Sequence, residues 1–172
     1  MTLNVKKLFL SPQGRIGRPD FLIGVGSLLA LTMLALFSFT KLGPGLTTFY
    51  AFIASFFLFL HIAMCVYGKR LHDLGRSLWP FIGMLALLVV VLILVGLNFG
   101  GIEYFDTVMA HPEYAENEAE MKKALKIYQD TLAKNLPKAG WMMAALPALF
   151  TLWLAVAKGG AEDNKYGPPE AA

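Results

Sequence analysis

The chain has 172 residues, 56% of them hydrophobic and 16% charged, with a mean hydropathy of +0.56. Soluble globular domains carry about 25% charged residues, so this composition lacks the material for a polar shell and excludes an ordinary soluble fold. A formal net charge of +3 is too small to argue for nucleic acid as a partner. The single cysteine, Cys65, excludes an intrachain disulfide and any metal site made of several thiolates.

In chain order, an N-terminal arm over 1–20 carries Lys6, Lys7, Arg15 and Arg18. The first apolar run, about 21–39, holds no charge; at about 1.5 Å per residue it reaches roughly 28 Å, close to the ~30 Å of bilayer hydrocarbon. It is too long for a signal-peptide core and no small-x-small site follows it, so a retained helix is expected. "GVGSLLA" (24–30) lies inside this span with no strand before it and is not a phosphate loop. Lys41 and Gly43-Pro44-Gly45 end the run.

The second span covers about 46–67 and shows a phenylalanine stripe at Phe49, Phe52, Phe56 and Phe59, expected to pack on lipid or a neighbouring helix. His61 and Cys65 are four apart and share a face. A neutral His61 bonded to another helix is the expectation, since two ligands make no metal site.

The third span, about 78–99, contains LALLVVVLILVGL and ends near Gly96-x-x-x-Gly100, a weak close-packing pattern. A polar insert follows over 100–138. Tyr114, Met121, Leu125, Tyr128 and Leu132 recur at helical spacing in it, predicting an amphipathic helix from about Pro112 to Asn135 with acids early and lysines late. This helix could meet a partner, lie on a leaflet, or fold over the spans as a cap. The fourth span, about 139–157, is interrupted by Pro147, and a tail over 158–172 closes the chain.

The fold class is therefore an all-α integral membrane protein: a single domain of four transmembrane helices. All four arginines fall in the arm or in the link between the second and third spans, while the insert sets seven acids against five lysines. By the excess of Lys and Arg on the cytoplasmic side, both termini are cytoplasmic and the insert is extracytoplasmic.

The link reads "KRLHDLGRSLW" (69–79), too short for a domain and too charged for the membrane interior. The second helix is expected to continue to Leu74 and stop at Gly75, allowing Asp73 to pair with Arg70 or Lys69. Ser77 would cap the third helix, with Pro80 in its first turn and Trp79 at the interface. Arg15 and Arg18 would share a face if their segment were helical, although Pro19 disfavours helix at Arg18.

Three stretches on this side carry a resemblance. They are Gly14, Arg15, Arg18 and Phe21; Arg70, His72, Asp73, Gly75, Ser77 and Trp79; and Asn164, Tyr166, Gly167 and Pro169. Together they resemble domain-of-unknown-function family 805, small bacterial inner-membrane proteins. Leu78 stands where that family usually has glycine, and Leu22 where tryptophan is common. The resemblance implies a multi-pass bundle in the inner (plasma) membrane with cytoplasmic motifs, and it implies no activity.

Three functional classes follow. The first is a non-enzymatic membrane protein whose Arg15, Arg18, Arg70, His72, Asp73, Arg76, Asn164 and Tyr166 bind anionic lipid headgroups or an acidic partner. The alternative is a small transporter or channel subunit working as a homo-oligomer or with another membrane protein, with His61 on its path. The third is a membrane enzyme using His72 and Asp73, which adjacent helical positions about 100° apart make awkward. No catalytic constellation, cofactor fingerprint or metal spacing is present, so no cofactor and no metal are expected.

Overall fold

The computed structural model describes residues 5–43 and 45–168; Pro44 and Pro169, named above, lie outside the described residues. The described chain is helical: α1 (Val5–Leu10), α2 (Arg18–Leu42), α3 (Leu46–Asp73), α4 (Trp79–Gly96), α5 (Ile102–Ala110) and α6 (Glu118–Val156). A π turn, Leu97–Gly101, follows α4, and a 3₁₀ turn, Pro112–Ala115, follows α5. Four helical stretches, Arg18–Leu42, Leu46–Asp73, Trp79–Ala110 and Glu118–Val156, are long and apolar enough to cross a membrane. Their phenylalanines, leucines and valines are largely exposed, including Phe49, Phe52 and Phe56 of the α3 stripe. Water would not tolerate that much apolar surface, and lipid does.

The chain divides into two compact units, one of 1–82 with 152–172 and one of 83–151. In the first, α2 and α3 pack along each other, and α1 packs on both. Gly24 permits the close approach of α2 to α3: a Cβ there would stand 2.8 Å from Val66 Cγ1, and Val66 is fully buried. We expect Gly24→Ala to lower unfolding stability in detergent by about 1–3 kcal/mol, the usual cost of overpacking; an unchanged melting curve would contradict this contact. Phe21 meets Tyr67 edge-on at 5.4 Å, and Tyr67 stacks on Phe81 at 5.3 Å, tying the start of α4 to the same core.

The start of α2 departs from expectation. Pro19 lies in its first turn, where a missing N–H costs nothing, so the helix opens at Arg18 with Gly17 at the N-cap. Arg15 stays outside it, and the two arginines share no helical face. The end of α3 follows the prediction closely. Gly75, at φ +70°, takes the left-handed position; its N–H bonds the His72 carbonyl at 3.0 Å, and the Arg76 N–H bonds the Leu71 carbonyl at 2.8 Å. That pair of bonds is a Schellman turn. The helix α4 opens one residue later than a Ser77 cap would have it, on the Leu78 carbonyl, which accepts from Ile82 at 3.2 Å. Leu78 itself leans on Gly68, where a Cβ would come within 3.2 Å of its Cδ1.

In the second unit the expected boundary between insert and fourth span does not exist. From Glu118, capped by Asn117 Oδ1 accepting from Ala119 N–H at 3.2 Å, α6 runs unbroken to Val156 through Pro137 and Pro147. Polarity changes along it while the backbone does not, because each proline removes only one ladder bond and the helix continues on both sides of it. The amphipathic face is real: Tyr128 meets Tyr104 of α5 at 5.7 Å. Pro112 opens the 3₁₀ turn instead of the long helix. There Glu113 bonds its own backbone amide and His111 Nδ1 (2.9 Å), which together hold its carboxyl below the usual range. Gly100 does approach another helix, with Thr131 and Tyr128 3.2–3.3 Å from a Cβ placed on it, but it does so at a kink with φ +109°. The Gly-x-x-x-Gly spacing of a straight crossing is therefore not what brings the chains close there.

Candidate functional site

The polar end of the first unit gathers the arm, the end of α3 and the tail. Its organising residue is Asp73, in the last turn of α3. Arg15 reaches it from the arm, with Nε and Nη2 at 3.2 and 3.1 Å from Oδ1, and Arg70 reaches it from one helical turn back, with Nη1 at 2.5 Å from Oδ2. One carboxylate thus bridges two guanidiniums. Such charge-assisted pairs are strong when desolvated, and here they are: Arg15 is 4%, Arg70 1% and Asp73 5% exposed. Lys69, fully buried, does not take the expected partner; it donates to the Lys7 carbonyl and, at 2.6 Å, to that of Leu8.

These cations share a second task. The last carbonyls of a helix have no partner within it, and the helix dipole makes that end negative. Lys69 serves carbonyls of α1. For α6, Arg70 donates to Leu154 (3.0 Å) and Ala157 (2.6 Å), and Arg18 to Val156 (2.9 Å) and Ala157 (3.1 Å). Arg15 holds the tail, donating to the carbonyls of Gly160 (2.5 Å), Glu162 (2.8 Å) and Gly167 (3.2 Å). Gly160 N–H returns a bond to the Asp73 carbonyl at 2.9 Å. At Gly159 a Cβ would collide with the Asp73 carboxylate, so the tail lies this close only because that position is glycine.

The tail motif forms its own tight turn. Asn164 and Gly167 exchange backbone bonds, Gly167 sits at φ +115°, and Asn164 Oδ1 accepts from Tyr166 N–H at 2.9 Å. Asn164 Nδ2 then pins the turn to the His72 carbonyl at 3.0 Å. Tyr166 stacks on the His72 ring at 3.8 Å, nearly coplanar at 7°. His72 Nδ1 faces the Gly14 carbonyl at 3.1 Å, an acceptor only, so Nδ1 carries the proton. His72 and Asp73 therefore point to different partners, one to Gly14 and Tyr166, the other to two arginines.

Of the residues singled out from sequence, Arg15, Arg18, Arg70, His72, Asp73, Asn164 and Tyr166 meet in this one cluster. Arg76 lies at its edge, exposed, with its guanidinium 5.3 Å from the Trp153 ring centroid. His61 does not join: it is exposed along α3, and its Nε2 lies 3.6 Å from Cys65 Sγ of the same helix, not on a neighbouring one. Sequence reasoning missed Gly159 and Gly160 in the tail. Their adjacency after an apolar helix was the available signal. No group of three or more His, Cys, Asp or Glu side chains placed to hold a metal occurs among the described residues.

A helical chain with four apolar helices of bilayer length is a multi-pass membrane protein by class. A family model described as "Protein of unknown function (DUF805)" matches residues 9–168, nearly the whole chain, and the chain belongs to that family. No curated protein and no solved structure matches it.

Proposed function

We propose that this is a non-enzymatic protein of the bacterial inner membrane whose polar end faces the cytoplasm and binds anionic lipid headgroups. The observation that carries this reading is a charge imbalance. Among the described residues, three buried cations, Arg15, Lys69 and Arg70, are set against one buried carboxylate, Asp73. The exposed rim adds Arg18, Arg76, Lys158 and Lys165 against Glu162 and Asp163. Carbonyl dipoles solvate the buried cations without cancelling their charge, so the end as a whole attracts anions. A juxtamembrane basic surface gains about 1 kcal/mol per Lys or Arg from an anionic leaflet. The orientation rests on the same arginines, which favour the cytoplasmic side.

The test is lipid retention. Protein from nanodiscs of mixed phosphatidylglycerol and phosphatidylcholine is released and its bound lipids are counted by native mass spectrometry. Wild type is expected to be enriched in the anionic lipid, and an Arg76→Gln, Lys158→Gln, Lys165→Gln variant to lose much of that enrichment, as should wild type at high salt. Equal proportions of the two lipids on wild type would end the proposal.

A further inference from the structure

Beside the Asp73 cluster lies an open cleft of about 320 Å³, bounded by Gly17, Arg18, Arg70, Asp73, Gly160 and Ala161. We infer that this cleft is a site for a single phosphate group. The inference rests on the anion-binding reading above and gives it an address.

The donors come first. Arg18 bonds the end of α6 through Nε and Nη2, and its Nη1 has no partner among the described residues. It is exposed where it borders the cleft. Arg70, beside it on the same Ala157 carbonyl, is almost wholly buried and spends a bond from each nitrogen inside the protein, so it lends the cleft positive charge while Arg18 supplies the accessible donors. A forked guanidinium with free donors matches the oxygens of a phosphate. The one acid in the wall, Asp73, already faces two guanidiniums, so its charge is answered within the protein.

Position selects the class of anion. Arg18 is the first residue of a helix of bilayer length that carries no charge from Phe21 to Thr40. A membrane containing that helix brings its phosphate layer to the level of Arg18. The shared chemistry is a phosphate carrying free oxygens; its source is either the diester of an anionic phospholipid or free inorganic phosphate.

Binding is measured on the full chain in an uncharged detergent, by native mass spectrometry and thermal shift, in two arms. One arm titrates phosphatidylglycerol and the other inorganic phosphate. A single equivalent is expected to bind in at least one arm, and that arm names the source. Arg18→Gln should weaken it about tenfold or more, the cost of one charge-assisted hydrogen bond. Ala161→Glu, at an exposed lip position that burial does not constrain, should do the same by repulsion. Lys126→Gln, at an exposed position that does not line the cleft, should leave it unchanged. Equal binding by wild type and both cleft variants would overturn the site while leaving general enrichment in anionic lipid intact. Binding in neither arm would also overturn it, and the nanodisc lipid ratio would then show separately whether the broader reading stands.

Discussion

Replacing Asp73 with alanine is expected to destabilise the protein by about 3–5 kcal/mol, the cost of leaving buried charges without their partner. Both guanidiniums that lose it, Arg15 and Arg70, are almost wholly enclosed, so water cannot substitute for the carboxylate. A denaturant titration of the whole chain in detergent measures the loss, with limited proteolysis as a second reading. The tail and the arm should become cleavable together, because the carboxylate holds Arg15 against α3 and Arg15 in turn holds the tail through the Gly160 carbonyl. Asp73→Asn, which keeps the shape and one acceptor oxygen, should fall between the two. An alanine variant within about 0.5 kcal/mol of wild type, the range of an ordinary surface change, would show that the cluster does not hold this end together.

The second large effect is local. Arg15→Met keeps the volume of the side chain and removes all of its donors. Asp73 retains Arg70, so the helices should stay packed. The tail should not stay put, since its Gly160, Glu162 and Gly167 carbonyls all depend on Arg15. Hydrogen bonds to charged groups contribute about 1.5–3 kcal/mol and do not simply add. We expect backbone amides of residues 158–168 to exchange roughly 30–100-fold faster, corresponding to about 2–3 kcal/mol, with α2 and α3 unchanged. Exchange rising equally in all three would mean that Arg15 supports the core and not the tail specifically.

What the sequence disclosed and what it hid divide along physical lines. Hydropathy located the spans because burial in lipid demands long uninterrupted apolar runs, and Gly75 marked the end of α3 because only a left-handed turn follows it cheaply. The Arg70–Asp73 pair was legible from spacing alone. The destination of Arg15 was not, because its partners, apart from Asp73, are backbone carbonyls, and every residue has one. Lys69 misled for the same reason: an acid four positions away was visible, while the free carbonyls of a short helix at the other end of the chain were not. The join between the amphipathic helix and the fourth apolar run was not legible, because a change of polarity looks like a break in structure, whereas the backbone of α6 runs through it.

The cluster also fixes an order of events. Arg15 and Gly160 are 145 residues apart, so the arginine leaves the ribosome long before the carbonyl that will receive it exists. Until residues 154–167 are made, α2 and α3 stand in the membrane with their charged ends only half satisfied. Completion of this surface is thus a late step of biosynthesis, and a nascent chain stalled before the tail would expose a set of cations that the finished molecule conceals.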